Sequence, residues 1–477
     1  MAAGIWHSQR AKGLPRRLPQ SADDGAGEGR VNVMPELRFA HYRNEFKYTH
    51  YLFRFPAKFH PPVVRCLIDR YSRPGDIILD PFCGSGTLLL EALLSGRAAF
   101  GLDVDPVAVF ISRVKCTPLP PLELEGAFEV LKEDLQRVRR SKREYDRLIH
   151  ADLSPHSINR LRRRLGIPGI PRIEHWFRVY VVLDLAQLRK AILRAGVTPR
   201  VRNFFLACFA SIIRNASNAD PVPVSGLEVT AHMKKLDVQG RRIDPFDLFE
   251  RRVERELTGM RELWEQVKDT NVRVQRADAT ALTRHVRATK VDVVITSPPY
   301  NTAVDYYRRH TLEMYWLDMV RSQEERVELA QKYLGRAQVR QSNPMLRYTF
   351  VSHYINRLMA HAGSVSRAQK RAVTHYCASM HRSLRHIARV LKPNGRAVFV
   401  VGNSKWNGRR VRASKLLTEL ARDQFDVCNV LTYTTRNRYM SYERHNGANV
   451  NREYALILKK KAKPRTRRTR LRRNGRM

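Results

Sequence analysis

IILDPFCGSGTLLLEALLSGRAAFGLDVD, residues 77–105, contains two apolar strands separated by a glycine-bearing turn and a helix. IILD (77–80) is short and apolar, as buried strands are. LLLEALLSG (88–96) has the composition of a helix that ends at Gly96, and AAFGLDVD (98–105) is a second strand with an acidic end. A strand, a helix and a strand in this order form a β-α-β unit with parallel strands and a right-handed crossover. The stretch therefore predicts an α/β fold.

The turn after the first strand is a candidate ligand site. It reads DPFCGSGT (80–87), and Gly84 and Gly86 allow the backbone to bend sharply and to approach a ligand closely, because glycine has no Cβ. The following helix offers unpaired N–H groups at its N-terminus. The turn is neither a phosphate loop nor a complete dinucleotide fingerprint. Asp103, at the end of the next strand, can accept the ribose hydroxyls of a nucleoside cofactor. The alternative is a glycine-bearing turn without a ligand.

A second candidate site follows another apolar strand, in VDVVITSPPYN (291–301). Pro298 and Pro299 fix φ and donate no N–H, so residues 297–300 form a stiff bracket at the carboxyl end of the strand, where open α/β sheets bind ligands. The Ser297 hydroxyl and the carbonyl groups of the bracket can accept hydrogen bonds from an amino group, and Tyr300 offers a flat face to a planar ring. The alternative is a strand that ends at prolines beside a packed tyrosine.

A third candidate residue, Asp278, ends the strand in RADATAL (276–282), shortly before the strand that leads to the bracket. A carboxylate at this edge of a sheet can accept a hydrogen bond from the exocyclic amine of an adenine ring. Strand-terminal aspartates also serve as helix N-caps and turn formers. The placement of Asp278 near the bracket strand is what favours the first interpretation.

The same alternation of strands and helices extends over much of the chain. Further strands are predicted at 272–278, 396–403, 427–433 and 452–460, and a long helical region at roughly 304–390. The composition predicts a disordered N-terminal segment (1–35) and a basic disordered tail (461–477). Between them it predicts the first half of an α/β domain (36–118), a basic and mostly helical insertion (119–270) and the second half of the domain (271–460).

The charge balance indicates a polyanionic partner. The chain has 87 Lys and Arg residues against 45 Asp and Glu residues, a formal net charge of +42. Basic residues bind nucleic acid by releasing the counterions that condense on its phosphates. A solvated basic surface is the alternative interpretation.

The cysteines and the hydropathy pattern bear on location. The six cysteines contain no C-x-x-C pair, which predicts reduced thiols in a cytoplasmic protein and no metal site. No apolar run is long enough to cross a membrane, and the N-terminal residues lack the apolar region of a secretory signal. We therefore expect no membrane partner.

The motifs DPFCGSGT, GLDVDP, RADA and VDVVITSPPYN together resemble those of the S-adenosylmethionine-dependent amino-methyltransferases that act on DNA. The resemblance covers most of residues 40–120 and 270–460. It implies a Rossmann-like methyltransferase fold with a mixed, mainly parallel seven-stranded sheet, S-adenosylmethionine as the cofactor, and a target base that is flipped out of the duplex. HYLFRFPAKFHPP (50–62) is similar to the cofactor-contacting segment at the N-terminus of the family.

The resemblance also implies roles for individual residues, and it implies no metal ion. The bracket would bind the target base and carry the catalytic residues Ser297, Pro298, Pro299 and Tyr300. The cofactor would be bound by Phe55, Pro56, Ala57, Asp80, Phe82, Gly84, Gly86, Thr87, Asp103 and Asp278.

The first residue of the bracket bears on the choice of base. Members of the family use Asp or Asn most often for adenine, whereas Ser is more typical of enzymes that methylate N4 of cytosine. Ser297 therefore favours N4-methylcytosine formation at a short specific DNA sequence. The alternatives are N6-adenine methylation of DNA, methylation of an RNA amino group, and a catalytically idle nucleic-acid-binding subunit. RNA is disfavoured because no recognisable RNA-binding module precedes the first strand, and the idle subunit is disfavoured because the bracket is intact.

The insertion departs from the family pattern. Recognition regions of the family commonly lie between the last cofactor motif and the bracket, whereas residues 119–270 precede Asp278. The insertion is thus either a DNA-recognition region or a helical cap. The resemblance is also compatible with a cognate restriction endonuclease as a partner.

Overall fold

A seven-stranded sheet forms the centre of the part of the chain that the structure describes. The structure is a computed structural model, and it describes residues 35–39, 47–56, 58–140, 164–221, 227–300, 306–360, 365–406, 409–434 and 452–462. The predicted disordered segment at 1–35, except Pro35, and the predicted tail beyond residue 462 lie outside the described residues.

The strands of the sheet have the spatial order β3-β2-β1-β4-β5-β9-β8. Strands β1 to β5 pair in parallel, and β9 is antiparallel to both of its neighbours, β5 and β8. Strands β6 and β7 form a separate two-stranded antiparallel ribbon. The nine strands of the described residues are β1 Ile77–Asp80, β2 Ala98–Asp103, β3 Val272–Arg276, β4 Val291–Thr296, β5 Leu391–Gly402, β6 Ser404–Trp406, β7 Arg409–Val411, β8 Phe425–Thr434 and β9 Arg452–Lys460.

One strand begins earlier than the sequence pattern predicts. The helical region ends at Val390, directly before LKPNG (391–395), as the sequence pattern predicts, but β5 begins at Leu391 rather than at residue 396. Leu391 pairs with Val291, and the pairing register shifts before Arg396 pairs with Val293. The proline and the glycine of this segment therefore lie at an irregularity within β5.

Helices flank the sheet and fill the interval between β2 and β3. The long helical region predicted at 304–390 is divided into several shorter helices rather than being continuous. The α-helices of the described residues are α1 Pro61–Tyr71, α2 Thr87–Leu94, α3 Pro106–Lys115, α4 Pro121–Val138, α5 Ile173–Trp176, α6 Val179–Arg194, α7 Pro199–Ala216, α8 Ala231–Val238, α9 Pro245–Gln266, α10 Tyr306–Arg309, α11 Thr311–Trp316, α12 Gln323–Ala330, α13 His353–Ala360, α14 Arg367–Val390 and α15 Ala413–Ala421. Short 3-10 helices lie at Tyr48–Tyr51, Ala279–Arg284 and Pro344–Arg347.

Apolar side chains cover both faces of the sheet, because successive residues of a strand point to opposite faces. On β1, Ile78 belongs to the core on one face and Leu79 to the core on the other. The first core is shared with the helices between β2 and β3, and the second with α14 and α15. A strand that is buried on both faces has a continuous apolar sequence, which is why IILD and VDVVIT are recognisable as strands.

The helices between β2 and β3 are joined to the rest of the protein by apolar packing. Phe204, Phe205 and Phe209 of α7 are fully buried. The Phe209 ring meets the ring of Trp316, on α11, edge to face with 6.0 Å between centroids. The predicted fold class is confirmed: an α/β fold with a mixed, mainly parallel seven-stranded sheet and a mostly helical insertion. None of the helices in the described ranges has both the length and the apolar character needed to cross a bilayer.

Candidate active site

A cleft lies at the carboxyl ends of β1, β2 and β4, where the loops that follow parallel strands meet. About 600 Å³ of space free of protein atoms lies within it, a volume that includes solvent at its open mouth. Seven residues predicted from the sequence line it: Phe55, Asp80, Phe82, Gly84, Thr87, Asp103 and Ser297. Sequence reasoning did not single out several further lining residues, namely Lys58, Phe59, Asp105, Tyr306 and Tyr333.

The turn between β1 and α2 is held by its own backbone and by the end of β2. The Gly84 N–H donates to Asp103 Oδ2 at 2.9 Å, and the Ser112 hydroxyl donates to the Gly84 carbonyl at 2.7 Å. Gly84 and Gly86 have φ of 48° and 72°, the left-handed region that glycine adopts without strain. A Cβ on Gly86 would lie 2.8 Å from Ser112 Oγ. The second glycine of the motif is therefore required by both conformation and space.

Asp103 is fixed at the end of β2 by two backbone donors. Its second oxygen accepts from the Asp105 N–H at 2.9 Å. Burial, followed by repulsion from Asp105, raises the pKa of Asp103 to about 6. The carboxylate is therefore ionised at neutral pH and lines the cleft as a hydrogen-bond acceptor.

Asp80 connects the cofactor turn to the strand that carries the bracket. Its Oδ1 accepts from the Phe82 N–H at 3.1 Å and from the Thr296 hydroxyl at 2.6 Å. Asp80 is 3% exposed, and burial raises its pKa to about 7. Thr296 directly precedes the bracket, and its hydroxyl links the bracket to the cofactor turn through Asp80. It was not predicted from the sequence as a site residue.

Asp105 and His310 form a buried pair behind the cleft. Asp105 Oδ2 lies 2.7 Å from His310 Nδ1, while Asp105 Oδ1 accepts from two N–H groups at the start of α3. The His310 ring packs against the Phe55 ring with 4.9 Å between centroids, and Phe55 stacks on Tyr306 at 5.8 Å. This pairing places the segment before α1 against the start of α10. The Asp105-Pro106 dipeptide is a common helix start, and it was the sequence signal that could have drawn attention to Asp105.

A group of buried titratable side chains lies under the cofactor turn. The Lys115 side-chain nitrogen donates to the Ser85 carbonyl at 2.7 Å, and the Lys58 side-chain nitrogen donates to the His50 carbonyl at 2.8 Å. Burial lowers the pKa of Lys58 to about 6 and that of Lys115 to about 8, and Lys115 also repels Lys58. His50 pairs with Glu91 at 2.8 Å, and burial lowers the pKa of this histidine to about 4.

The bracket follows β4 and reaches the cleft through its first residue. Ser297 is half-buried and lines the cleft, whereas Pro298 is buried. The Tyr300 hydroxyl donates to Glu453 Oε1 at 3.2 Å and contacts the Ser297 hydroxyl. The Tyr433 hydroxyl donates to the other oxygen of Glu453. Burial and the Glu453 carboxylate raise the pKa of Tyr300 well above its usual value.

Some predicted residues lie beside the cleft rather than in its lining. Asp278 Oδ1 accepts from the Thr280 N–H at 2.8 Å and thus caps a short 3-10 helix. The Ala277 N–H donates to the Asp103 carbonyl, so Asp278 is at the same edge of the sheet. The cofactor role of Asp278 stays a prediction, as do the roles of Pro56, Gly86, Pro298, Pro299 and Tyr300, which also lie outside the lining. Ala57 falls outside the described residues.

The cleft has features that fit a bound nucleoside cofactor. The Thr87 hydroxyl is buried at the start of α2 and has no hydrogen-bond partner among the described residues. A Cβ on Gly84 would lie 3.1 Å from the Phe55 ring, so the glycine keeps this wall of the cleft open. Acidic, aromatic and backbone groups therefore surround one cavity, as recognition of a ribose and a planar base requires.

The family of the chain follows from comparison with known proteins. A family model described as DNA methylase, of the N6/N4 methyltransferase type, matches residues 10–113 and 291–474. The chain belongs to this DNA methylase family. The two matched segments contain the cofactor turn and the bracket, and the unmatched interval contains helices α4 to α9, strand β3 and Asp278. The methylase uses S-adenosylmethionine, as the resemblance implied.

Individual relatives agree with this assignment. The methylase is 26% identical over 378 residues to the type II methyltransferase M.MvaI of Kocuria varians, covering 76% of this chain and 78% of the relative. It is 22% identical over 356 residues to the type II methyltransferase M.MjaII of Methanocaldococcus jannaschii, covering 61% and 66%.

Solved structures with similarity to the methylase include two from Thermus thermophilus. TrmN has a TM-score of 0.27 and 12% identity, covering 84% of this chain and 49% of TrmN. TTHA0409, solved in complex with S-adenosyl-L-methionine, has a TM-score of 0.21 and 20% identity, covering 40% and 55%.

Proposed function

We propose that the methylase transfers a methyl group from S-adenosylmethionine to the exocyclic N4 of a cytosine that is flipped out of duplex DNA at a short specific sequence. The observation that carries the proposal is the position of Ser297. It lines the same cleft as Asp80, Gly84 and Asp103, at the end of the neighbouring strand. A base that enters the cleft beside Ser297 would meet the cofactor there.

The residues that would hold the cofactor surround the cleft. Asp103 would accept hydrogen bonds from the ribose hydroxyls, and the turn at 80–87 would contact the cofactor through its backbone and the Thr87 hydroxyl. Phe55, Pro56 and Ala57 would face its methionine end. Phe82 and Asp278 would lie near its adenine ring. When bound, S-adenosylmethionine supplies an electrophilic methyl group on a sulfonium sulfur.

The bracket would orient the amino group of the target base. This nitrogen is a poor nucleophile because its lone pair is delocalised into the ring. The Ser297 hydroxyl and the Pro298 carbonyl would accept its two hydrogen bonds and so direct the lone pair out of the ring plane. The contact between Ser297 and Tyr300 supports this arrangement. If the serine donates its hydrogen to the tyrosine oxygen, its lone pairs remain for the amine.

The preference for cytosine rests on the serine at the first bracket position. Ser297 offers a hydroxyl at the position where the family uses Asp or Asn most often for adenine. The fixed Glu453 interacts with the bracket through Tyr300 at 3.2 Å and not through the first position.

Product analysis tests the proposal. The protein is incubated with labelled S-adenosylmethionine and either genomic DNA or total RNA, and the digested nucleosides are separated by mass spectrometry. Labelled N4-methyldeoxycytidine is expected. N6-methyldeoxyadenosine would contradict the choice of base, and label in RNA would contradict the polymer. Cofactor binding without transfer to either polymer would indicate an idle nucleic-acid-binding subunit.

The helices between β2 and β3 are proposed to contribute to DNA recognition. IEHWFRVY (173–180) and SIIRNASNAD (211–220) combine aromatic, arginine and amide side chains that suit phosphate and base contacts. We also propose that residues 119–270 form a separate region of the chain, that a restriction endonuclease is a partner of the methylase, and that the methylase is cytoplasmic. All six cysteines are unpaired, which is compatible with a reducing compartment.

A further inference from the structure

Tyr333 brings a hydroxyl group to the cleft from a part of the chain that follows the bracket. It lies shortly after α12 and lines the same cleft as Asp103 and Asp105. Tyr333 is 5% exposed. The two aspartates belong to the end of β2 and the start of α3, far from Tyr333 in sequence. Two distant segments of the chain therefore face one cavity.

Within the described part of the chain, the hydroxyl of Tyr333 is buried without a hydrogen-bond partner. A hydroxyl that leaves water and gains no partner costs free energy, and native proteins contain few such groups. The Tyr333 hydroxyl belongs to a residue that lines a ligand cleft. Its burial therefore points to a bond that forms when the cleft is occupied.

Packing holds the ring of Tyr333 without help from the hydroxyl. The ring meets the Tyr307 ring edge to face with 6.0 Å between centroids, and the Tyr333 N–H donates to the Ala330 carbonyl at 3.3 Å. The Arg336 guanidinium lies 5.2 Å from the centroid of the Tyr307 ring. Removal of the hydroxyl alone should therefore leave this packing intact.

The surroundings of the hydroxyl favour its use as a donor. Burial, followed by the charges of Asp105 and Asp103, raises the pKa of Tyr333 well above its usual value, so the hydroxyl keeps its hydrogen at neutral pH. Asp105 already has other partners: its Oδ2 lies 2.7 Å from His310 Nδ1, and its Oδ1 accepts from two N–H groups at the start of α3. The hydrogen of Tyr333 can thus be donated to a ligand.

We propose that the Tyr333 hydroxyl donates a hydrogen bond to a ribose oxygen of S-adenosylmethionine. This proposal rests on the role proposed above for Asp103, which would accept the hydrogens of the ribose hydroxyls. A hydroxyl that donates to a carboxylate still has lone pairs that accept. An ionised Asp103 cannot donate to them, so the donor must come from another residue of the cleft. Tyr333 supplies it, in the cleft that it shares with Asp103.

The test compares Tyr333→Phe with Tyr315→Phe. Tyr315, on α11, is 1% exposed, and its hydroxyl also has no hydrogen-bond partner among the described residues, but it lies outside the cleft lining. Each substitution removes one buried hydroxyl and keeps the ring. Calorimetry gives the Kd of S-adenosylmethionine, of S-adenosylhomocysteine and of the 2′-deoxy and 3′-deoxy analogues of the latter. Thermal unfolding of the protein without ligand gives its stability.

Tyr333→Phe is expected to weaken the binding of S-adenosylmethionine and S-adenosylhomocysteine about tenfold, because a ribose oxygen is left without its donor. With one of the two deoxy analogues, wild type and Tyr333→Phe should bind equally, since the oxygen that accepts the hydrogen bond is missing. The unfolding temperature without ligand should not fall in either variant, because neither loses a hydrogen bond there. Tyr315→Phe should keep the wild-type affinity for every ligand.

Three outcomes would overturn the proposal. The first is equal affinity of wild type and Tyr333→Phe for S-adenosylmethionine. The second is a loss of affinity that is the same for S-adenosylhomocysteine and for both deoxy analogues, because the hydroxyl would then contact another part of the cofactor. The third is a lower unfolding temperature of Tyr333→Phe without ligand, which would show that the hydroxyl bonds within the protein.

The binding measurement involves no nucleic acid, so it is separate from the test of the proposed function. A product other than N4-methyldeoxycytidine would contradict the proposed function, and the affinities of Tyr333→Phe would still decide whether its hydroxyl contacts the ribose. Conversely, equal affinities would overturn the role of Tyr333 and leave the choice of base unchanged.

Discussion

The Thr296 hydroxyl donates a hydrogen bond of 2.6 Å to Asp80 Oδ1, which joins the ends of two neighbouring parallel strands. One strand carries the cofactor turn and the other carries the bracket. The bond is fully buried, so water does not compete for either group. The bond between Asp80 and Thr296, at the ends of the two strands, therefore fixes the position of the cofactor turn relative to the bracket.

The pH dependence of stability should report the burial of Asp80, which raises its pKa although the bond with Thr296 acts to lower it. A carboxyl group whose pKa is raised from 3.8 to about 7 on folding stabilises the folded state fully below the unfolded pKa, and this contribution is lost as the pH rises to about 7. Asp80→Asn keeps an acceptor for Thr296 but cannot ionise. Its free energy of unfolding, relative to wild type, should therefore increase between about pH 4 and pH 7, while cofactor affinity falls.

Urea unfolding at a series of pH values measures this difference. Asp426→Asn, at an exposed position of β8, serves as the control and should follow the wild-type curve. A constant difference between Asp80→Asn and wild type at every pH would show that Asp80 is not protonated preferentially in the folded protein.

Crowding at Gly86 can be separated from backbone strain by a matched pair of variants. Gly86 and Gly96 have φ of 72° and 71°, but a Cβ on Gly86 would lie 2.8 Å from Ser112 Oγ, whereas nothing lies within 4 Å of a Cβ on Gly96. Gly96→Ala should cost about 1 kcal/mol for the left-handed conformation. Gly86→Ala should cost more and also weaken S-adenosylmethionine binding, as measured by thermal unfolding and calorimetry. Equal losses of stability in the two variants would remove the argument from space.

Binding of S-adenosylmethionine should take up a proton at about pH 8. Lys58 lines the cleft, and burial lowers its pKa to about 6, so it is mostly neutral in the free protein. The carboxylate of the cofactor would favour the charged form. Asp80 and Asp103, with pKa values of about 7 and about 6, are already ionised and contribute little at this pH.

Calorimetry in buffers with different ionisation enthalpies gives the number of protons taken up. Lys58→Met should reduce the uptake and weaken binding, whereas Lys290→Met, at an exposed position before β4, should change neither. Proton release, or the same uptake in Lys58→Met, would place the carboxylate of the cofactor away from Lys58.

The strands and the two motifs were predictable because their signals are local. IILD and VDVVIT are mostly apolar runs with prolines just after them, so β1 and β4 have the bounds that the sequence indicates. The contacts between distant segments were not predictable. Asp105 and His310 are 205 residues apart, and no periodicity or propensity connects them. The segment at 391–395 contains a proline and a glycine, and the register of β5 against β4 shifts there, so these residues mark an irregularity inside the strand rather than its boundary.

The Glu453 carboxylate allows the hydroxyl of Tyr300 to be tested separately from its ring. Tyr300 and Tyr433 both donate to Glu453, but of the two only Tyr300 is shown in contact with Ser297. Tyr300→Phe keeps a flat ring and frees the serine hydrogen to turn toward the cleft. It should lower kcat for methyl transfer about tenfold, with little change in the Kd of S-adenosylmethionine. Tyr300→Ala should lower kcat further, because the ring is lost as well.

Tyr433→Phe is the matched control, since it removes the other hydrogen bond to the same carboxylate and should retain near wild-type kcat. The double variant Ser297→Ala with Tyr300→Phe should be no slower than Ser297→Ala alone, because the tyrosine hydroxyl acts through the serine. If Tyr300→Phe has wild-type kcat, the hydroxyl has no part in orienting Ser297. If both tyrosine variants are equally slow, Glu453 supports the fold of this region and not the serine in particular.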